Sequence, residues 1–210
     1  MNARAICAEA PVIPVIIVED LTHAVPLAEA LVAGGLRVLE VTLRSAVALE
    51  AIQAMKAAVP EAIVGAGTLR HARDLARVRA YGAAFGVSPG APAALVEAIK
   101  ADGLPFLPGC ASATEAMSLA DAGFDTLKFF PAEAAGGAPF LKSLASPLPD
   151  LAFCPTGGIG MGNAADYLRL PNVLCVGGSW VVPPAMMLAG DWAGIEALAR
   201  EAVATLGPLR

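Results

Sequence analysis

Short runs of apolar, β-branched residues alternate along this chain with longer Ala- and Leu-rich stretches whose apolar positions recur at helical spacing. The short runs predict strands near 13–18, 38–42, 62–65, 85–87, 106–107, 126–129, 153–155 and 173–176. The longer stretches predict helices at roughly 24–33, 46–58, 71–81, 92–101, 113–121, 138–144, 163–168 and 192–206. Eight strand–helix alternations predict one compact α/β domain over residues 1–210, a (β/α)8 TIM barrel with an N-terminal helical extension. The usual barrel has about 250 residues, so a shorter chain leaves no room for a long insertion. The competing architecture is an open doubly wound sheet. It fits less well, because no GxGxxG follows the first strand and polar residues recur at strand ends.

Composition narrows the classes. With 57% hydrophobic and 16% charged residues, the 210-residue chain suits a sheet covered on both faces. A net charge of −5 argues against a general nucleic-acid partner, which needs a basic patch, but permits a small anionic substrate in a local field of opposite sign. The four cysteines, Cys7, Cys110, Cys154 and Cys175, form no CxxC pair and accompany only two histidines. A structural metal site is therefore not expected, and buried reduced thiols are. The N-terminus shows no signal-peptide core, and the apolar run 11–18 is too short to span a bilayer. Cytoplasmic location without a membrane partner is the expectation.

A barrel keeps its chemistry at the C-terminal ends of the strands. In Asp125-Thr126-Leu127-Lys128-Phe129-Phe130-Pro131, alternation puts Thr126, Lys128 and Phe130 on one face and Leu127 and Phe129 on the other. A lysine there either snorkels to solvent or loses hydration, which favours the neutral amine that attacks carbonyls. Glu40, Thr42 and Arg44 share the inner face of the second strand if it runs that far. They read either as a Glu40–Arg44 ion pair closing the mouth or as a proton-transfer carboxylate beside a carboxylate-binding guanidinium. Gly65-Ala66-Gly67-Thr68 is either a tight turn with Thr68 as helix N-cap or a set of donors beside Arg44. Gly157-Gly158 and Gly177-Gly178-Ser179 follow strands seven and eight, where barrels often bind phosphate. Lys56, Lys100 and Lys142 read as solvated helix positions, and neither His23 nor His71 has a recognisable partner.

Assembled in order, these segments resemble the KDPG/4-hydroxy-2-oxoglutarate aldolase family, where KDPG is 2-keto-3-deoxy-6-phosphogluconate. The resemblance runs from about 12 to 183. It is carried by Leu39-Glu40-Val41-Thr42-Leu43-Arg44, Gly65-Ala66-Gly67-Thr68, Val87-Ser88-Pro89-Gly90, Leu127-Lys128-Phe129-Phe130-Pro131-Ala132-Glu133, Cys154-Pro155-Thr156-Gly157-Gly158-Ile159 and Val176-Gly177-Gly178-Ser179-Trp180. It implies a metal-free class I aldolase with no cofactor, acting as a homotrimer on a phosphorylated 2-keto acid. Lys128 would form the Schiff base and Glu40 would shuttle protons. Arg44 and Thr68 would hold the pyruvate carboxylate, Phe130 would pack on the pyruvyl part, and the Pro89 carbonyl would line the site. Thr156 would face the C4 hydroxyl, and Gly157, Gly158, Gly178 and Ser179 would hold the phosphate. The expected substrate is KDPG, with 4-hydroxy-2-oxoglutarate and the galactonate epimer as alternatives. A non-catalytic barrel binding a phosphorylated ligand is the reading from another class. Gly158-Ile159-Gly160-Met161, Leu69-Arg70-His71 and Ala111-Ser112-Ala113-Thr114 depart from commoner family versions.

Overall fold

The computed structural model describes residues 1–209. Helix α1 (Ala3–Cys7) opens the chain, its N-cap Asn2 accepting from the Ala5 amide at 2.9 Å. Strands and helices then alternate as β1 (Val12–Ile16), α2 (Ala24–Ala33), β2 (Val38–Thr42), α3 (Ala48–Ala58), β3 (Ile63–Gly67), α4 (Ala72–Ala80), β4 (Gly86–Val87) and α5 (Ala93–Asp102). The second half runs β5 (Phe106–Leu107), β6 (Gly109–Cys110), α6 (Ala113–Asp121), β7 (Thr126–Phe129), α7 (Gly137–Leu144) and β8 (Ala152–Pro155). It ends with α8 (Ala164–Leu168), β9 (Val176–Gly178), α9 (Pro184–Ala189) and α10 (Trp192–Leu206).

Every ladder is parallel. One sheet has the order β5-β4-β3-β2-β1-β9 and the other β6-β7-β8. The last strand therefore lies beside the first, with Val12 opposite Val176, and no reversal of strand order marks a doubly wound switch point. Pro108 alone separates β5 from β6; it has no amide to donate, while its carbonyl accepts from the Lys128 amide at 3.0 Å. Isolated parallel bridges join Phe153 to Val173 and Thr156 to Gly177.

Several elements differ from expectation: β1 stops at Ile16, short of 18, and β6 follows the predicted strand 106–107 as an additional one. The final strand is displaced from 173–176 to β9, because pairing with β1 begins only at Val176. Gly177 and Gly178 are consequently strand residues, and a Cβ at Gly177 would lie 2.2 Å from the Thr156 hydroxyl. The apolar stretch after Trp180 also starts a helix that sequence periodicity had not shown. Pro184 stands in the first turn of α9, where its missing amide costs nothing.

Strand alternation sorts the side chains into two cores. Leu39 and Val41 of β2, Val64 and Ala66 of β3, and Leu127 and Phe129 of β7 join the large core shared with the helices. Val38, Val87, Leu107 and Cys154 join a smaller cluster with Ile6 and Cys7 of α1, which packs across the inner side. Glu40, Thr42, Thr126 and Lys128 belong to that inner face by alternation and are all buried. The Thr42 hydroxyl is satisfied by the Ile16 carbonyl at 2.9 Å, so it ties β2 to β1. Cys7, Cys154 and Cys175 are buried free thiols. Contact with Cys154 and burial hold Cys7 and Cys175 well above the ordinary thiol range. No described helix is long and apolar enough to cross a membrane.

Candidate active site

Strand β7 delivers Lys128 to the inner face opposite Gly109 of β6 and Cys154 of β8. Its side chain is 6% exposed, and Nζ donates to Glu40 Oε1 at 3.1 Å, with Oε2 at 3.5 Å. Glu40 comes from β2 and is equally buried. Its carboxyl group lies across β3, where a Cβ at Gly67 would stand 2.2 Å from Oε1. Here the missing side chain is a requirement of the neighbour rather than of a turn. Desolvation largely offsets the attraction within such a pair, and a packed apolar pair would serve stability as well. A buried amine and carboxylate in contact thus point to chemistry more than to folding. The Phe130 ring centroid is 5.6 Å from Nζ.

The Glu40–Arg44 pair that the sequence also allowed does not form. Strand β2 stops at Thr42 and the chain turns, the Arg44 amide bonding to the Thr42 carbonyl at 2.7 Å. Arg44 is carried outward, and its Nε donates to the Thr68 hydroxyl at 3.2 Å. Thr68 is the described non-glycine residue with positive φ, +64°, a conformation a β-branched residue adopts at a cost. It does not cap α4 either. His71 occupies that cap position, and the Asp74 carboxylate accepts from the amides of Arg70 and His71, each at 3.0 Å.

Above the strands opens a cavity of about 600 Å³. Arg44 and Phe130 line it with Thr156, Gly157 and Gly158 after β8 and with Gly178 and Ser179 at β9. Seven sequence-predicted residues thus share one space, Phe130 joining it to Lys128 and Thr68 touching it through Arg44. Pro89 stands apart. It lines a neighbouring cleft with Arg70 and Glu115, its carbonyl so close to Gly109 that a Cβ there would be 2.4 Å away. Gly157 and Gly158 have φ of +104° and +77°, which favour glycine, whereas at Gly178 a Cβ would run into the Trp180 ring.

Sequence reasoning missed Glu19, Asp20 and His23, which line the same cavity from the loop after β1. The rule that located the other loops, applied to the first strand, points to them. The hydroxyl and amide of Thr22 hold the Asp20 carboxyl below its ordinary range, and His23 meets the Trp192 ring edge-on at 5.4 Å. Among the described residues, no group of three or more His, Cys, Asp or Glu is placed to hold a metal ion.

A parallel α/β fold with a buried lysine–carboxylate pair beside a largely apolar cavity edged by glycine loops has the build of an enzyme site. The family model for KDPG and KHG aldolase matches residues 3–198, and the chain belongs to that family. It is 50% identical over 204 residues to the 2-dehydro-3-deoxy-phosphogluconate aldolase of Pseudoalteromonas atlantica, covering 97% of this chain and 95% of that one. It is 51% identical over 202 residues to the KHG/KDPG aldolase of Escherichia coli, covering 96% and 95%. Among solved structures, the KDPG aldolase of Legionella pneumophila, with pyruvate captured as a covalent carbinolamine, superposes with a TM-score of 0.95 at 44% identity. That match covers 97% of this chain and 98% of the other.

Proposed function

We propose that this protein is a class I aldolase that cleaves KDPG to pyruvate and glyceraldehyde 3-phosphate. The observation that carries the reading is the buried contact between Lys128 Nζ and Glu40 Oε1 at 3.1 Å. The amine must shed a proton to attack, and this carboxylate is in contact with it to accept one. Nζ then adds to the C2 ketone, and loss of water from the carbinolamine gives an iminium. Glu40, having given its proton to the departing water, takes the C4 hydroxyl proton; the C3–C4 bond breaks and its electron pair passes into the iminium as an enamine. Glyceraldehyde 3-phosphate leaves, Glu40 returns a proton to C3, and water releases pyruvate from Lys128. The covalent pyruvate adduct of the Legionella relative supports the same course here.

In this reading Arg44 and Thr68 hold the carboxylate, Phe130 packs on the pyruvyl part, and Pro89 contributes its carbonyl from beside Gly109. Thr156 faces the C4 hydroxyl, which favours the gluconate epimer. Gly157, Gly158, Gly178 and Ser179 receive the phosphate. The bridge between Thr156 and Gly177, and the continuity of β5 with β6 across Pro108, support closure of the two sheets into one (β/α)8 barrel. In this reading the protein works in the cytoplasm as a homotrimer, and light scattering on the purified chain tests the assembly.

Substrate and phosphate site are tested together. Ser179→Ala removes an exposed hydroxyl without disturbing the strand, and should raise the KM for KDPG about threefold to tenfold, the effect of one lost hydrogen bond. Inorganic phosphate should compete with KDPG, and exchange of pyruvate methyl protons should be unchanged. Turnover of 4-hydroxy-2-oxoglutarate at the rate of KDPG, with no competition by phosphate, would replace the phosphorylated substrate by the smaller keto acid.

A further inference from the structure

Glu133 and Tyr167 belong neither to the lysine site nor to the cavity wall, yet they meet directly beneath the Gly157–Gly158 loop. The Tyr167 hydroxyl donates to Glu133 Oε1. Tyr167 is a residue of α8 and only 1% exposed, while Glu133 lies in the exposed segment after β7. Burial, then the Glu133 carboxylate, push the phenol well above its usual range, so it stays a donor. Glu133 is in turn fastened to the loop, its amide donating to the Gly157 carbonyl at 3.1 Å. Its side-chain stem fills the space beside Gly158, where a Cβ would stand 2.7 Å from Glu133 Cγ. Gly137 has φ +64° and leaves room for the contact; a Cβ there would lie 3.4 Å from the phenol oxygen. On the far side, the Asn163 amide donates to the Gly158 carbonyl at 3.1 Å and its oxygen accepts from the Gly160 amide at 2.8 Å. The loop is gripped from both flanks.

We infer that Tyr167 and Glu133 form a positioning pair for this loop: Tyr167 fixes the Glu133 side chain under Gly158, and the fixed stem sets where the loop meets the substrate's phosphate. The inference rests on the phosphate reading proposed above. A carboxylate this near an anion site is electrostatically unfavourable if it swings toward the ligand. The phenol donor gives it a partner on the α8 side and spares the phosphate that repulsion. Neither residue touches the reacting atoms, so the pair acts by fixing where the loop and the carboxylate sit.

Tyr167→Phe keeps the buried ring and deletes the donor. It should raise the KM for KDPG about tenfold, the effect of losing a hydrogen bond to a charged group, with kcat within about twofold. Pyruvate methyl exchange, which does not need the phosphate, should match wild type. Glu133→Ala, which removes the stem together with the acceptor, should raise KM at least as much, and the double variant should be no worse than Glu133→Ala alone, because Tyr167 acts only through that side chain. Additive effects, an unchanged KM in Tyr167→Phe, or parallel loss of exchange and cleavage would each overturn the positioning role. If Ser179→Ala raises KM and phosphate competes while Tyr167→Phe is silent, the tether fails and the phosphate site stands. If phosphate does not compete and Ser179→Ala is silent too, the phosphate site itself fails.

Discussion

Treatment with pyruvate and borohydride should place a stable reduced adduct on the peptide containing Lys128, and Lys128→Ala should abolish both adduct and cleavage. The other lysines, Lys56, Lys100 and Lys142, lie exposed in helices α3, α5 and α7, with no buried carboxylate against them. Lys128 alone has its amine inside the inner face with Glu40 in contact. Removing one member of a buried ion pair costs about 3–5 kcal/mol, since the partner is left charged and unpaired. Lys128→Ala should therefore lower Tm as well as activity. Pairing it with Glu40→Gln separates the two effects, because the double variant should recover stability and stay inactive. An adduct on Lys56, Lys100 or Lys142 in the wild type would displace Lys128 from its role.

Glu40→Gln should leave the shape of the site and remove its proton transfer. Loss of a general acid–base group lowers rates by about 10²–10⁴-fold, and the drop should fall on kcat. Solvent deuterium exchange at the pyruvate methyl group isolates the step, because it needs neither the aldehyde nor the phosphate. Position should matter as much as identity. Gly67→Ala would put a methyl group 2.2 Å from Glu40 Oε1, so the carboxyl group must shift away from Lys128, and exchange should fall although every catalytic residue remains. Exchange at the wild-type rate in Glu40→Gln would leave Glu40 as an ion-pair partner only.

The elements most legible in the sequence are those whose pattern is purely local. Strands 38–42 and 126–129 and helices 24–33, 113–121 and 192–206 have the boundaries that periodicity predicts. Each has a clean apolar period and clear stop signals. What the sequence hid depends on distant partners. Gly177 and Gly178 look like a loop until β1 is beside them, and Pro108 looks like a loop until its carbonyl meets Lys128. Alternation alone gives the shared faces of Glu40 and Lys128, but not their contact across 88 positions. Arg44 shows the limit in the other direction. Period-two extrapolation kept it on the inner face, whereas the strand ends two residues earlier and the turn sends it to Thr68. Glu133 closes one of the family segments and Tyr167 lies in a predicted helix, but neither pattern joins them, because the link is a hydrogen bond between residues 34 apart.

Helix α1 has a consequence for the order of events. Ile6 and Cys7 join Val38, Phe85 and Leu107 in one buried cluster, which seals that side of the inner face. If the loops after β8 and β9 receive the phosphate, as proposed, and substrate comes to Lys128 past Phe130, the site works as a one-ended queue. In the synthetic direction pyruvate must be seated before the aldehyde arrives, since an aldehyde held at the loops blocks the way in. In cleavage the phosphorylated fragment must depart first, and the three-carbon enamine waits behind it. Product inhibition should carry the same asymmetry, pyruvate acting on the enzyme that is still free and the aldehyde on the enzyme already charged.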